Sequence, residues 1–207
     1  MKKLYLFIFA VLLIAGAGAM DLYAQSEVTG AIQAGVGAAS TNGTVEFGLN
    51  YQVVTLDAAG MVFPNQWLAV IADISYGLPH EYNYQSGSDQ SSIKTKAGFA
   101  DGMLGVHKPF ADGGFVYVAT GLTIGWGSIE VEDPPDPTDE LDMDTALGVV
   151  FGAGMALPIA DNFMGTLTLR QRYLTGELGL DTDGSRTIDF GIGGLNVGVG
   201  LAYFFGK

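Results

Sequence analysis

The last strand-like stretch of the chain, Val197 to Phe205, constrains the fold more than any other feature of the sequence. Its odd positions are large and apolar, and its even positions are mostly Gly or Ala. Only a β-strand alternates with a period of two. Because the large face needs an apolar medium and the other face is too slim to build a core, the stretch predicts a strand with lipid on one side and a narrow interior on the other.

The N-terminal region predicts export from the cytoplasm. Lys2 and Lys3 precede an unbroken apolar segment, Leu4 to Ile14, which is followed by the small residues Ala15 to Ala19. This order of charged, apolar and small residues is typical of a secretory signal peptide. We therefore expect residues 1–24 to be a signal peptide, cleaved after Ala19 or Ala24, and residues 25–207 to form one domain. The sequence has no cysteine, which excludes disulfides and lipid attachment at a cysteine.

Charge and hydropathy exclude several classes of protein. The chain has 22 acidic residues against nine Lys and Arg, and a formal net charge of -13. Nucleic acid is not an expected partner, because phosphate binding needs a basic footprint. The average hydropathy is nevertheless positive, so charged and apolar residues must be segregated into loops and strands. No motif for a cofactor is present, and none is expected.

Eight strands follow from the segments with period two. They are predicted at 27–39, 44–61, 67–77, 92–110, 115–129, 145–157, 163–174 and 187–205. Interruptions of the alternation at Val53-Val54, Asp101-Gly102 and Gly193-Gly194 predict β-bulges. The long uncharged runs contain too much Gly for membrane helices, since each Gly costs about 1 kcal/mol in a helix interior. The predicted fold is an all-β, eight-stranded antiparallel transmembrane up-and-down barrel.

Connections between these strands are of two kinds. Tight turns with flanking aromatic residues occur at 63–67, 110–115 and 159–163, and longer polar loops at 78–91, 130–144 and 175–186, with the short 40–43 as an exception. Short turns are typical of the periplasmic side and long loops of the outside. The aromatic residues beside the turns, with two from the last strand, predict a girdle at the membrane interface. This girdle would comprise Phe63, Trp67, Phe110, Phe115, Phe163, Tyr203 and Phe205.

The eight strands, the tight turns and the aromatic residues of the final strand together resemble the OmpA/OmpX-type family of outer-membrane β-barrels, although the chain continues past the last aromatic into Gly206 and Lys207. The resemblance covers nearly the whole of 25–207 and rests on pattern and topology. It implies the outer membrane of a diderm bacterium as the location. It also implies outer-membrane lipids, lipopolysaccharide and the barrel assembly machinery as partners. Such similarity of fold says little about activity.

Charged residues on the predicted inner faces are the first candidate site. They are Glu46, Asp73, Lys94, Lys96, Arg170, Arg172 and Asp189. Charges in such an interior must be paired. We expect a network of salt bridges that fills the lumen, because an eight-stranded barrel is just wide enough for side chains. A narrow charged pore is the alternative.

The segment from Glu130 to Asp144 is the second candidate site. It carries eight carboxylates and no basic residue. Oxygen ligands at this density suit hard cations such as Ca²⁺, although the spacing matches no defined calcium loop. Candidate ligands are Glu132, Asp133, Asp136, Asp139 and Glu140, and a solvated, self-repelling loop is the simpler interpretation.

Catalysis is the third candidate. Some barrels of this kind modify lipid A with a Ser nucleophile beside a His and an acid. The chain has two histidines, His80 near Ser75, Ser86 and Ser88, and His107 near the opposite rim. The expected function is non-enzymatic: a membrane and surface scaffold whose acidic extracellular loops serve surface interaction or adhesion. A lipid A-modifying enzyme, a narrow pore and a soluble lipocalin-like barrel remain alternatives.

Overall fold

The computed structural model describes residues 29–41, 51–86, 89–110, 113–132, 139–179, 187–191 and 193–205. The predicted signal peptide lies outside these ranges and stays a prediction. Nine strands are formed within them. Their bounds are β1 Thr29–Thr41, β2 Tyr51–Phe63, β3 Leu68–Ser86, β4 Asp89–Pro109, β5 Phe115–Glu132, β6 Asp139–Ala160, β7 Phe163–Gly179, β8 Thr187–Gly191 and β9 Gly194–Phe205.

The strands close into one antiparallel barrel. Each strand from β1 to β7 pairs with the next, and β9 pairs with both β7 and β1. β8 pairs with the same side of β7 as β9 does. It pairs with residues Thr175 to Gly179 of β7, which follow the segment paired with β9. β8 and β9 are therefore two parts of the eighth barrel strand, separated at residues 192–193. This confirms the predicted eight-stranded barrel. The bulge predicted at Gly193-Gly194 is not formed, because Arg172 pairs with Gly194 and Thr175 with Gly191 in the same register.

Several strands extend farther than the sequence pattern predicted. β3 continues to Ser86, β5 to Glu132 and β7 to Gly179, while β4 begins at Asp89 and β6 at Asp139. Much of the three predicted loops is thus paired strand. Their residues lack an apolar alternation because both faces of these extensions lie beyond the apolar part of the barrel, so the period-two signal disappears there.

The bulges also differ from the prediction. The ladders run without a shift through Val53-Val54 and through Asp101-Gly102. The register shifts instead at Gly77/His80, Gly125/Gly127, Met143/Gly148 and Pro158/Ala160. Apparent phase slips in the sequence arose because small and polar residues occur on both faces of these strands, so residue size alone does not report the face.

Side chains alternate between the two faces along each strand. On β7, Leu167, Leu169 and Tyr173 are exposed on the outside, whereas Thr168 and Arg170 are buried inside. β6 behaves as predicted, with Leu147 and Phe151 outside. The outer surface is a continuous apolar band, which includes Ile32, Val36, Leu56, Leu104, Val118, Leu122, Leu147, Val149, Leu157, Val199 and Leu201.

Glycine lets the wall curve at positions where neighbouring backbones approach closely. A Cβ atom at Gly121 would lie 1.9 Å from the carbonyl oxygen of Gly102, and one at Gly105 would lie 2.3 Å from that of Val118. Any side chain there would force the strands apart. A barrel of eight strands is narrow, so its wall must bend sharply, and these glycines permit the bend.

Local chemistry also builds the tight turns. The Asn65 side-chain oxygen accepts hydrogen bonds from the backbone N–H groups of Trp67 and Leu68, at 3.0 and 2.8 Å. Gly113 has a φ of 88°, a conformation that Gly adopts at little cost. Ala160 pairs with Phe163 across a two-residue turn. Three of the hairpins are thereby closed at one end of the barrel.

Candidate functional site

The centre of the barrel contains a layer of ionised side chains. Arg172 of β7 reaches the Asp101 carboxylate of β4 through two groups: its Nε atom lies 3.1 Å from both carboxylate oxygens, and its Nη2 atom lies 2.7 Å from Oδ2. Both residues are almost fully buried. The two-point geometry is the strongest arrangement for an Arg–carboxylate pair. Arg172 also lies over the Phe99 ring, 4.7 Å from its centroid.

Arg170 makes the second crossing of the lumen. Its Nη2 atom donates to Asp73 Oδ2 of β3 at 2.6 Å, and its Nη1 atom lies 3.6 Å from Asp57 Oδ1 of β2. Strand β7 lies opposite β3 in the barrel, so the guanidinium group spans the interior. Arg172 Nη2 lies 3.6 Å from the other oxygen of Asp73, which joins the two pairs into one network.

Uncharged groups complete this ionic layer. The Ser75 hydroxyl donates to Asp73 at 3.1 Å and accepts from Arg172 at 2.9 Å. Thr55 donates to Asp57 at 3.2 Å and accepts from the Asn196 amide at 2.9 Å. These bonds help to orient the carboxylates, so the layer is held by more than attraction between charges.

Two glycines on the neighbouring strands β1 and β9 make room for the Asp57 side chain. A Cβ atom at Gly37 would lie 2.8 Å from Asp57 Oδ2, and one at Gly198 would lie 3.2 Å from it. Three carboxylates and two guanidinium groups thus occupy one cross-section of the lumen. Because an eight-stranded barrel leaves only enough interior for side chains, this layer closes the lumen at its middle.

The structure brings together three of the seven predicted interior charges, Asp73, Arg170 and Arg172. Lys94 and Lys96 lie on the other face of β4 from the buried residues Thr95, Phe99 and Asp101. The alternation of β4 is unbroken through Asp101-Gly102, so a lysine at an even position must point outward. Glu46 lies outside the described residues. Asp189 lies in β8, but its side chain is not among those described.

Sequence reasoning missed two members of the ionic layer, Asp57 and Asp101. Each lies at an inward position of a strand whose alternation between the two faces is not shifted by a bulge. On β2 the inward residues are Thr55, Asp57, Ala59, Met61 and Phe63. On β4 the same rule runs from Phe99 through Asp101 to Met103. An unbroken alternation, anchored on the exposed leucines and valines of the same strands, would have found both.

The turn end of the barrel is filled by an inner aromatic cluster. The Phe63 ring lies 5.0 Å from that of Phe115, 5.8 Å from Phe204 and 4.6 Å from the imidazole of His107. Phe63 and Phe115 are 3% and 4% exposed. They therefore lie inside rather than on the predicted girdle, because each occupies an inward position of its strand. With Tyr117, Met61 and Ile71 they form an apolar core inside the barrel.

The other predicted girdle residues lie on the outer surface at the turn end. Trp67, Phe110, Phe163 and Tyr203 are exposed, and the rings of Phe163 and Tyr203 meet edge to face at 5.4 Å. The Phe205 ring covers Gly30 of β1. Tyr173 is exposed ten residues after Phe163 on β7. That interval is about 33 Å of strand, which at a tilt of about 40° spans about 25 Å, the height of an outer-membrane apolar band.

Lys94 and Lys96 meet Glu130 of β5 on the outer face, beyond this band. Lys96 Nζ bonds to Glu130 Oε1, and Lys94 Nζ lies 3.3 Å from Oε2. The hydrogen bond from Lys96, and to a smaller extent the one from Lys94, holds the pKa of Glu130 below its usual range. Gly98 is the next outward residue of β4 on the membrane side of Lys96. It pairs with both Tyr76 and Trp126, and the Trp126 ring covers it.

The acidic segment shows no metal site in the ranges that the structure describes, where no cluster of three or more His, Cys, Asp or Glu residues has the geometry to hold an ion. Of the candidate ligands, Glu132 is exposed at the end of β5, and Asp139 and Glu140 begin β6. Asp133 and Asp136 lie outside the described residues. Cation binding at this segment thus stays a prediction. No helix among the described residues is long and apolar enough to cross a membrane.

A closed antiparallel sheet with an apolar exterior, an aromatic border and a polar interior defines a transmembrane β-barrel. The family model described as outer membrane protein beta-barrel domain matches residues 7–205. The chain belongs to this family. It is accordingly an outer-membrane protein, as the sequence predicted. No curated protein matches the chain.

Solved structures of outer-membrane proteins have the same fold. The outer membrane protein OprG from Pseudomonas aeruginosa superposes with a TM-score of 0.59 at 7% identity, covering 86% of this chain and 96% of OprG. Ail, the attachment invasion locus protein of Yersinia pestis, gives a TM-score of 0.52 at 14% identity, covering 87% of this chain and 100% of Ail. At these identities the likeness concerns the fold.

Proposed function

We propose that this protein is a non-enzymatic surface scaffold, in which the barrel anchors acidic extracellular hairpins that make adhesive contacts. The observation that carries the proposal is the length of the strands beyond the apolar band. β3 continues ten residues past Tyr76 to Ser86, and after the register shift at Gly77/His80 it pairs with β4 from His80 to Ser86. Ten residues of strand extend about 33 Å. A paired hairpin of this length holds its last pair, Ser86 and Asp89, well beyond the apolar band.

The second long hairpin, formed by β5 and β6, supplies the acidic surface. Val131 pairs with Asp139, and Glu130 with Glu140, so the ladder reaches into the acidic segment. Glu132 is exposed at the end of β5. Acidic groups displayed on a rigid ladder favour partners that are cationic, or that are reached through bound divalent cations.

The likeness to Ail sharpens the choice of partner. One Ail structure holds the heparin analogue sucrose octasulfate. A polysulfate needs a basic surface, whereas this chain has 22 acidic residues against nine basic ones. The proposed partner of this chain is accordingly not a sulfated sugar, even though the two barrels share a fold.

Two rival functions have less support. For a lipid A-modifying enzyme a free Ser beside a His is needed, but Ser75 is buried and bonded to Asp73 and Arg172. The His107 ring lies among phenylalanines, with Nε2 3.0 Å from the Asn65 carbonyl oxygen. For a pore the lumen must be open, and the ionic layer with the inner aromatic cluster opposes that. We expect no discrete conductance from the protein in planar bilayers.

The adhesive role is tested by display on a diderm strain that lacks adhesins of its own. Attachment to an immobilised oligolysine peptide is measured for the wild type, for the triple variant Glu132→Gln/Asp139→Asn/Glu140→Gln, and for Asp161→Asn in a turn at the opposite end. The triple variant should attach several-fold less and Asp161→Asn as the wild type. Equal attachment by the triple variant and the wild type would overturn the role of the acidic hairpin.

A further inference from the structure

We infer that Lys94 and Lys96 bind the phosphate group of an outer-leaflet lipid at the membrane border. The two lysines lie two residues apart on β4, on the face that Leu104 and Val106 present to lipid. Their side chains are 41% and 32% exposed. They are thus accessible from the side of the barrel rather than from its lumen.

The outer face of β4 places these lysines at phosphate height. Between Lys96 and Lys108 the outward residues are Gly98, Ala100, Gly102, Leu104 and Val106, none of which is charged. Twelve residues of strand at a tilt of about 40° span about 30 Å, close to the thickness of a hydrocarbon core. Lys94 and Lys96 therefore lie at the loop end of the apolar part of this strand, where two adjacent lysine side chains can reach a lipid phosphate.

Aromatic contacts locate the border independently. Tyr76 and Trp126 flank Gly98 on the neighbouring strands. Gly98 is the next residue on the outer face after Lys96 in the direction of the membrane. Tyr and Trp concentrate at the level of the headgroups. The lysines lie just beyond these rings, on the loop side, which in this class of protein faces outward. The lipid involved is consequently one of the outer leaflet.

Glu130 sets the strength of this site. Its carboxylate is shared by both lysines, so the three groups carry a formal charge of +1. Glu81, exposed and paired with Lys94 in the β3–β4 ladder, adds a further acid nearby. A phosphate must compete with Glu130 for the ammonium groups. Removing the Glu130 charge should therefore strengthen lipid binding, although it removes a salt bridge from the protein.

The experiment measures the affinity of the detergent-solubilised, folded barrel for bisphosphorylated lipid A by native mass spectrometry. Lys94→Gln/Lys96→Gln should weaken binding by about fivefold per lysine. Lys108→Gln, the matched loss of one lysine at the turn end of the same face, should leave the affinity unchanged. Glu130→Gln should tighten binding several-fold. Retained heat-modifiable mobility on a gel confirms that each variant is folded.

Three results would overturn the inference. Unchanged affinity of the folded double lysine variant excludes the lysines as the site. Displacement of lipid A by millimolar inorganic phosphate assigns the site to a free anion rather than to a lipid. Weaker binding by Glu130→Gln, together with loss of wild-type binding in a chelator, assigns it to a carboxylate bridged through a divalent cation. Failure of the adhesion experiment affects none of these outcomes.

Discussion

Two levels of the barrel interior are filled by opposite kinds of chemistry. At the turn end, Phe63, Phe115, Met61 and Ile71 form an apolar core. At mid-height, Arg170 and Arg172 meet three aspartates across the lumen. The same eight strands enclose both levels, so the contrast arises from the inward side chains alone.

The contrast predicts different responses to mutation. An apolar core loses free energy in proportion to the atoms removed and to the cavity left behind. A buried ion pair differs, because removing one partner leaves the other charge buried without compensation, whereas removing both partners can cost little. Removing the second partner should therefore restore stability in the ionic layer, whereas removing a second core side chain should lower stability further at the turn end.

The largest effect is expected for Arg172→Met. Asp101 would lose its three hydrogen bonds from the guanidinium, and the free energy of unfolding should fall by about 3 to 5 kcal/mol. Urea unfolding in lipid vesicles, followed by tryptophan fluorescence, measures this loss. The double variant Arg172→Met/Asp101→Leu should recover at least half of it. A double variant less stable than Arg172→Met would refute the coupling.

Phe115→Ala should have the next largest effect. Its ring packs against Phe63, Tyr117 and Phe204 inside the barrel, and its removal should cost about 3 kcal/mol or more. Phe151→Ala is the matched control, because that ring is exposed to lipid and meets only Tyr173 edge to face among the described ring contacts. Its loss should cost about 1 kcal/mol. Equal losses in the same unfolding assay would show that the turn end is not a packed core.

A smaller effect separates two glycines on the outer wall of β4. Gly98→Ala would place a Cβ atom 2.5 Å from the Trp126 ring, and displacing the ring should cost about 1 to 3 kcal/mol. At Gly102 a Cβ atom meets no other atom within 4 Å. Gly102→Ala should therefore be neutral or stabilising by up to about 1 kcal/mol. A blue or red shift of the Trp126 emission in Gly98→Ala alone would support the assignment.

The smallest effect concerns pH at the outer salt bridges. Because Lys96 and Lys94 lower the pKa of Glu130 below 4.5, its contribution to stability is present above that pH and is lost as the pH falls through the lowered pKa. The group is exposed, so the change should be slight. Unfolding midpoints of the wild type and Glu130→Gln should converge below pH 4.5. Midpoints that stay equally far apart at every pH would contradict this.

The fold was predictable from the sequence because its strongest patterns are those imposed by lipid. β6 between Leu147 and Leu157, and the part of β7 that faces it, alternate without interruption, so Leu147, Phe151 and Leu169 identify their own faces. Lys94 and Lys96 were assigned to the interior because small residues on both faces of β4 obscure which face is which. Phe63 and Phe115 were placed on the girdle because an aromatic residue beside a turn fits the interface and the interior equally well. Only the register with neighbouring strands decides such cases.

The positions of Trp67 and Trp126 have a consequence for following assembly. They are the two tryptophans of the chain, one in a tight turn and the other beside the loop-end border. If the loops cross the bilayer during insertion, the indole of Trp126 must pass through the acyl chains, whereas that of Trp67 stays on the side of entry. Quenchers fixed at different depths of the bilayer would thus report the arrival of each tryptophan in its own leaflet separately. The native chain carries both fluorophores without any label.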